Sequence, residues 1–547
     1  MVQTSQGSKD KLIIFIAVVV SLIFTPLNFD ALIIPKVTVI FCFGLYIFPS
    51  IIGKIRKIEV SRKVRLSLTL IPIITLLHLT LVMLISSAPL DQQIFGRTGR
   101  AFGVITYFSF ILLILSSIIY MRIENINLLI MGITVSALLS SGYSMLQKYE
   151  LDIFNWNSRT NGIIGTLGNP NFQSSFAALA FIPTVVYFWQ KKYKPFTVPI
   201  FALFILFTIY ICQSTQGYVG ILASILAFLF IKIWFDYKRL FYSLLIFPIA
   251  LVIIAVAGML NRGPLSYYLY KISVQSRGDF WRSAFTTANE NPLFGVGLDS
   301  FGDYYLLNRD QIAANHTFAE LTDNAHNYFL EFAATGGYPL ALLYFAFISY
   351  ALFSFLVTIK KGNTFNPQLS ALFAAWSVLQ LQSIISPGNL VLFIWNFIIS
   401  GAVIGFKIIK RDINSNHGLK RQKNQISLIG SSLLVVGLLI IYPWFNNDRI
   451  LLLGLNTKNA NLVIQAANSY PRSVVKINLV TIQLFESNLP AQSLDLARSA
   501  TKWNPNAVSG WGLILANPTA PFNERDQAKE QVLRLDPLNK KIKEFKF

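Results

Sequence analysis

Long apolar stretches follow one another through the first 445 residues, near 12–28, 31–52, 66–88, 103–120, 127–146, 172–190, 197–213, 217–235, 240–260, 337–359, 368–386, 390–407 and 425–445. A helix needs about 20 mostly apolar residues to cross the hydrocarbon core of a bilayer. The pattern therefore predicts an all-α protein whose residues 1–445 form a polytopic membrane helix bundle of about thirteen spans. The first two stretches are the tightest pair, because Pro26 to Asp30 leaves little room to turn. The polar breaks are short except for 261–336, which is predicted to be a large loop.

After residue 445 the unbroken apolar runs stop. Three prolines punctuate the tail, Pro471, Pro505 and Pro537, spaced 34 and 32 residues apart. SLDLARSATKWNPNA carries apolar and small residues at helical intervals ahead of its proline. Tetratricopeptide repeats stack helix pairs with a period of 34. Residues 446–547 are thus predicted to form a helical domain of two or three degenerate units of that kind, the alternative being an irregular helical tail. Such a domain is expected to recruit an envelope protein or to pack over a neighbouring site.

Composition agrees with a membrane protein: 54% of residues are hydrophobic and the mean hydropathy is +0.54. The net charge of +21 falls mostly in alternate turns. One set carries Lys54, Arg56, Lys57, Arg62, Lys63, Arg65, Arg122, Lys191, Lys192, Lys194, Lys238, Arg239, Lys360, Lys361, Lys407, Lys410, Arg411, Lys420, Arg421 and Lys423. The other short turns carry only Arg97, Arg100, Lys148 and Arg159. Cytoplasmic loops hold the excess of Lys and Arg. The N-terminus is therefore expected in the cytoplasm, with 261–336 and 446–547 outside. Charge that sets topology argues against nucleic acid as a partner. No cleavage site follows the first apolar run, so it is expected to stay as a span. Cys42 and Cys212 lie inside apolar runs and have no metal-binding spacing.

Candidate chemistry gathers in the large loop. In SRGDFWRSAF, Arg277 and Arg282 flank Phe280 and Trp281, and 279–289 reads as a short amphipathic helix. Guanidinium groups match phosphate oxygens, and aromatic rings suit the head-group level, so interface anchoring alone is the plainer alternative. NPLFGVGLDSF follows, with glycines that fit a tight backbone turn. His326, in DNAHNYFLEF, is a base able to accept a proton from a hydroxyl, with Asp323 or Glu331 to orient it. His316, near Glu320, is expected to be exposed. His78 and His417 fall in a span and a cytoplasmic loop. Two shorter outer turns, FGRTGRAFG with Arg97 and Arg100 and GTLGNPNFQ with Asn169 and Asn171, bring glycines and polar groups to the mouths of spans. Gln213, Gln216, Gln380 and Gln382 are polar residues near span ends, expected to face a cavity or a partner helix.

These motifs together resemble the O-antigen ligase family, a superfamily that also holds O-antigen polymerases and protein O-oligosaccharyltransferases. The likeness covers roughly residues 90–400. It rests on a GRxxG-like first outer turn, the GNPN turn, an arginine–aromatic helix running into NPLFGVG, and HNYFLEFAATGG ahead of a span. It implies a membrane glycosyltransferase of the GT-C type in the bacterial cytoplasmic membrane. The implied donor is a glycan on polyprenyl diphosphate, with no nucleotide sugar, cofactor or metal. The implied acceptor is a lipid-linked saccharide, a growing glycan or a protein hydroxyl. Arg277 would bind diphosphate, His326 would activate the acceptor, and Arg97 and Arg100 would add donor contacts. Many relatives carry an arginine after a serine where this chain reads CQSTQGYVG, so Gln216 stands in that place.

Two other classes fit the pattern less closely. A transporter or flippase for a lipid-linked glycan predicts ionisable residues at mid-span and related halves, and neither is visible. A non-catalytic scaffold predicts that Arg277 and His326 are replaceable. The loop carboxylates Asp299, Asp303, Glu320 and Asp323 raise a metal-dependent variant, but they lack a recognised ligand spacing.

Overall fold

The computed structural model describes residues 9–154, 156, 162–191, 196–244, 246–259, 262–269, 272–316, 321–409 and 420–545. Arg159, Lys192, Lys194, Glu320, Lys410, Arg411 and His417 lie outside the described residues. The described chain is helical, with no strand among the described residues. Most of each predicted apolar stretch is helical, although 12–28 is helical only as far as Leu22. Among the described residues nine helices are long and apolar enough to cross a membrane: Ile33–Lys57, Arg62–Ile85, Ile123–Lys148, Pro170–Gln190, Thr215–Asp236, Tyr328–Lys361, Pro367–Ile385, Leu390–Ile408 and Gln425–Asn456. Val104–Tyr120 and Thr197–Cys212 are apolar but shorter. The protein is a polytopic membrane helix bundle.

The ends of several helices differ from the hydropathy pattern, and others are fixed by side-chain caps. The first helix is only Lys9–Leu22, so the chain has ten residues rather than five in which to reverse before Ile33. The stretch expected from 337 is preceded by a helical segment that starts at Tyr328, where the Asn327 side chain accepts from the N–H groups of Phe329 and Leu330, and the backbone leaves helical geometry at Gly337 between the two. Asn366 and Asn389 cap Pro367–Ile385 and Leu390–Ile408 in the same manner. The predicted helix at 279–289 is longer, Ile272–Glu290.

The innermost helix is Leu390–Ile408, whose Trp395 is fully buried and donates to Ser21. At the opposite extreme, Arg62–Ile85 exposes Leu70, Ile73, Leu77 and Leu84. An apolar face of that size has lipid as its natural solvent. A cavity of about 540 Å³ lies behind it, between Arg62–Ile85, Val104–Tyr120, Tyr328–Lys361 and Leu390–Ile408. Gln380 bonds Asn396, which bonds Tyr344, and Ser386 bonds both Gln216 and Gln382, so these glutamines tie helices together.

Helix Lys420–Asn456 runs straight through the composition change at 445. Trp444 packs in the membrane core, and Leu451, two turns on, packs in a separate core with Val463, Ile477 and Val480. Beyond it, the helices Ala460–Asn468, Val474–Glu486, Pro490–Trp503, Val508–Ala516, Phe522–Leu535 and Lys540–Glu544 stack in sequence order. Pro471, Pro505 and Pro537 each fall in a turn between two of them.

This stack is fastened to one end of the bundle. Arg309 and Asp536 form a buried ion pair at 2.8 Å. Lys476 and Asp448 form another at 2.8 Å, and Asp448 also accepts from the N–H of Asp30. Asp91 accepts from the N–H of Arg472, and Asn504 donates to Asp303 at 3.0 Å.

Candidate active site

Two motifs far apart in the sequence meet through their backbones. Val296 N–H donates to Ala334 O at 2.9 Å, Gly297 N–H to Thr335 O at 3.1 Å, and Tyr338 N–H to Pro292 O at 2.8 Å. NPLFGVG is thereby stitched to AATGG. The approach is close enough to require glycine on both sides. A Cβ on Gly295 would lie 2.4 Å from the Thr335 carbonyl carbon, and one on Gly337 would lie 2.3 Å from Leu293 O. Both have positive φ, 61° and 76°, which only glycine adopts freely. Gly337 also breaks the helix. His78 Nε2 meets Gly336 O there at 2.7 Å, and its ring stacks on Phe294. His78 thus braces this joint, a role its position in a span did not suggest.

Beside the joint lies a cage of opposite charges. Arg100, 7% exposed, reaches Asp299, Asp323 and Glu331 at 3.3, 3.4 and 3.3 Å. Arg97 pairs with Asp303 at 3.0 Å. Asp299 also accepts from the N–H groups of Arg97 and Phe102, which locks the GRTGRAF turn onto the loop. Burial opposes charge here, but the carboxylates outweigh it and hold both guanidinium groups above their ordinary pKa. Against the same burial, Arg100 and Arg97 hold Asp323 down at about 2. Gln92 donates to Ser300 at 2.9 Å and Asp303 at 3.1 Å, and Gln93 accepts from Ser86. These two glutamines are site residues that the motifs did not reveal, and the polar run Asp91-Gln92-Gln93 directly after a span was their only signal.

Arg277 and His326 stand apart from the cage. Arg277 has no carboxylate partner among the described residues, and its Nε is buried without a hydrogen bond. Burial lowers its pKa. The His326 ring packs on Phe280 with centroids 5.0 Å apart. Burial is the main reason that His326 is depressed to about 4, and the charges of Arg277 and Arg100 add to it. At neutral pH the imidazole is therefore uncharged. Its Nδ1 faces Asn324 O at 3.3 Å. Neither Asp323 nor Glu331 hydrogen-bonds the ring, contrary to the expectation that one would orient it. Both carboxylates are engaged by Arg100 instead, and Glu331 also accepts from Ala325 N–H. His326 has φ of 53°, and its N–H is held by Asn324 Oδ1. A non-glycine residue in this region costs of order 1–3 kcal/mol.

The other expected site residues are distributed more widely. Arg282 pairs with Asp310 at 2.5 Å and Asp279 at 2.6 Å. Asn169 caps the helix Pro170–Gln190, and Asn171 accepts from Ser214 at 2.7 Å. Gln216 accepts from Ser386 at 2.9 Å. His316 is partly exposed, 3.6 Å from Asp279. Among the described residues no group of three or more His, Cys, Asp or Glu could hold a metal ion, and Asp299, Asp303 and Asp323 face arginines. The structure thus brings Arg97, Arg100 and Glu331 into one cage, sets Arg277 and His326 apart from it, and leaves Asn169, Asn171 and Gln216 in helix-end contacts.

Residues 200–345 match the family model described as O-Antigen ligase. The match contains Arg277, Arg282, His326, Glu331 and both stitched motifs, but not Arg97 or Arg100. No curated protein matches the chain. Set in a many-helix membrane bundle, residues 200–345 are thus similar to the O-antigen ligase family.

Proposed function

We propose that the protein transfers a glycan from a polyprenyl diphosphate carrier to an acceptor hydroxyl on the outer face of the bacterial cytoplasmic membrane. The observation that carries this reading is Arg277, a half-buried guanidinium whose Nε is buried without a hydrogen bond and which has no carboxylate partner among the described residues, beside an uncharged His326. A cation left unneutralised in a protein interior is costly, and an arriving diphosphate supplies the missing charge. Arg97 and Arg100, already paired, act through the cage that holds the loop in place.

In the proposed step the acceptor oxygen attacks the anomeric carbon. The bond from that carbon to the carrier's phosphate oxygen breaks, and its electron pair stays on the diphosphate. Arg277 stabilises the charge that develops there. The acceptor proton passes to His326 Nε2, which is free to accept when Nδ1–H donates to Asn324 O. Diphosphate beside the ring offsets the Arg277 charge and makes the imidazole more basic. The 540 Å³ cavity supports a lipid-linked donor. Its walls include Leu68, Ile71, Ile114 and Phe347, and its Phe332 directly follows Glu331 of the cage.

The test is His326→Ala and Arg277→Ala in a strain lacking the native copy, with membrane insertion checked. Accumulation of carrier-linked glycan with loss of transferred glycan is expected for both. An unchanged glycan profile would remove the assigned roles and favour transport of a lipid-linked glycan.

A further inference from the structure

We infer that the outer loop carries a saccharide-binding pocket, separate from the diphosphate position, built on the helix Ile272–Glu290 one turn beyond Arg277. This rests on the proposed transfer only for the identity of the glycan. The pocket encloses about 480 Å³, with Trp281, Phe285 and Leu330 as its apolar side and Arg282, Asn308 and Asp310 as its polar side.

Three observations point to a sugar ring. Phe285 is 54% exposed on a loop helix. Sugar rings present a flat C–H face that packs on aromatic rings, while their hydroxyls need planar polar partners at the rim. Trp281 lines the pocket, and its indole N–H is buried with no acceptor among the described residues. An unmade hydrogen bond of this kind is unfavourable in a buried place, and a bound hydroxyl would satisfy it. Finally, Arg282 is neutralised by Asp310 and Asp279. The pocket therefore suits an uncharged polyol, whereas Arg277, without a carboxylate partner among the described residues, suits an anion. The two chemistries lie in order along one helix, because residues 277, 281 and 285 share a face at a spacing of about 6 Å per step. His326 adjoins this helix through Phe280, and Leu330 lies four residues further on. A glycan residue in the pocket would thus be held within reach of the reacting centre.

The glycan could be the donor's chain or the acceptor's, and kinetics separate them. The test uses the full-length protein in nanodiscs. Oligosaccharides released by mild acid from the native host's surface glycan are titrated against wild type, Trp281→Ala, Phe285→Ala and Trp281→Phe. Loss of one stacked ring should weaken binding about tenfold, and Trp281→Phe should keep most of it. Melting temperature serves as the folding control. In transfer assays a raised KM for the carrier-linked glycan with kcat nearly unchanged assigns the pocket to the donor. The same change for the acceptor assigns it to the acceptor. Wild type that binds no oligosaccharide, or alanine variants that bind like wild type, would overturn the inference. Binding lost without a change in either KM would overturn its link to transfer. Because the titration needs no turnover, it stands or falls apart from the roles of Arg277 and His326.

Discussion

At the scale of single residues, two arginines of the same loop system have opposite environments and should respond oppositely to substitution. Arg100 is enclosed by three carboxylates. Arg100→Gln strands those charges in the interior and should cost about 3–5 kcal/mol, read as a lower melting temperature of the detergent-solubilised protein. Arg277→Gln removes a half-buried cation that has no such partner among the described residues, so the melting temperature should hold while transfer falls at least about a hundredfold, the scale of one lost transition-state donor. His326 gives a pH signature. With its folded pKa at about 4, the base stays deprotonated from neutral pH down to about 5, and kcat/KM should not decline near 6.5 as it would for an ordinary histidine. The sign for stability follows the same shift. The unfolded ring takes up its proton first, so stability is full above about 6.5 and is lost as the pH falls toward about 4. His326→Gln should flatten this part of the melting-temperature profile.

At the scale of elements, the decisive feature is the joint between NPLFGVG and AATGG. Gly337→Ala forces a Cβ against Leu293 O in a backbone region hostile to side chains. It should cost about 3 kcal/mol and separate the loop from the helix start. Faster proteolysis of the loop, together with a lower melting temperature, would register that separation. Element positions were largely legible in the sequence, because hydropathy alone marks a membrane helix. Their ends were less so. Tyr328 begins its helix because Asn327 caps it, and a cap is a local hydrogen bond that hydropathy does not register. The motif pair and Arg277 with His326 were legible through their resemblance to a family. The cage was not, since Arg100 and Glu331 are 231 positions apart and only the fold makes them neighbours. The resemblance made Arg97 and Arg100 contacts to the donor, and in the structure both face loop carboxylates.

At the scale of the molecule, the C-terminal stack and the outer loop share buried polar contacts. Arg309 and Asp536 are almost fully shielded from solvent. Asp536→Ala leaves Arg309 buried without its carboxylate and should cost about 3–5 kcal/mol, seen as protease sensitivity in both the loop and the stack. Replacing both members by apolar residues, Arg309→Met with Asp536→Leu, should recover most of that loss. Persistent instability of the double variant would mean that the ion pair does more than fill space. Asn504 reaches Asp303, the partner of Arg97, so the stack touches the cage directly.

That contact has a consequence for biosynthesis. The loop around Asp303 is made some two hundred residues before Asn504, and its last polar contacts are supplied only when the late helices arrive beside it. A chain cut short by premature termination or proteolysis would therefore leave an unfinished loop. Completion of the polypeptide becomes a condition for a working centre, and a half-made enzyme is kept from handling its lipid-linked donor.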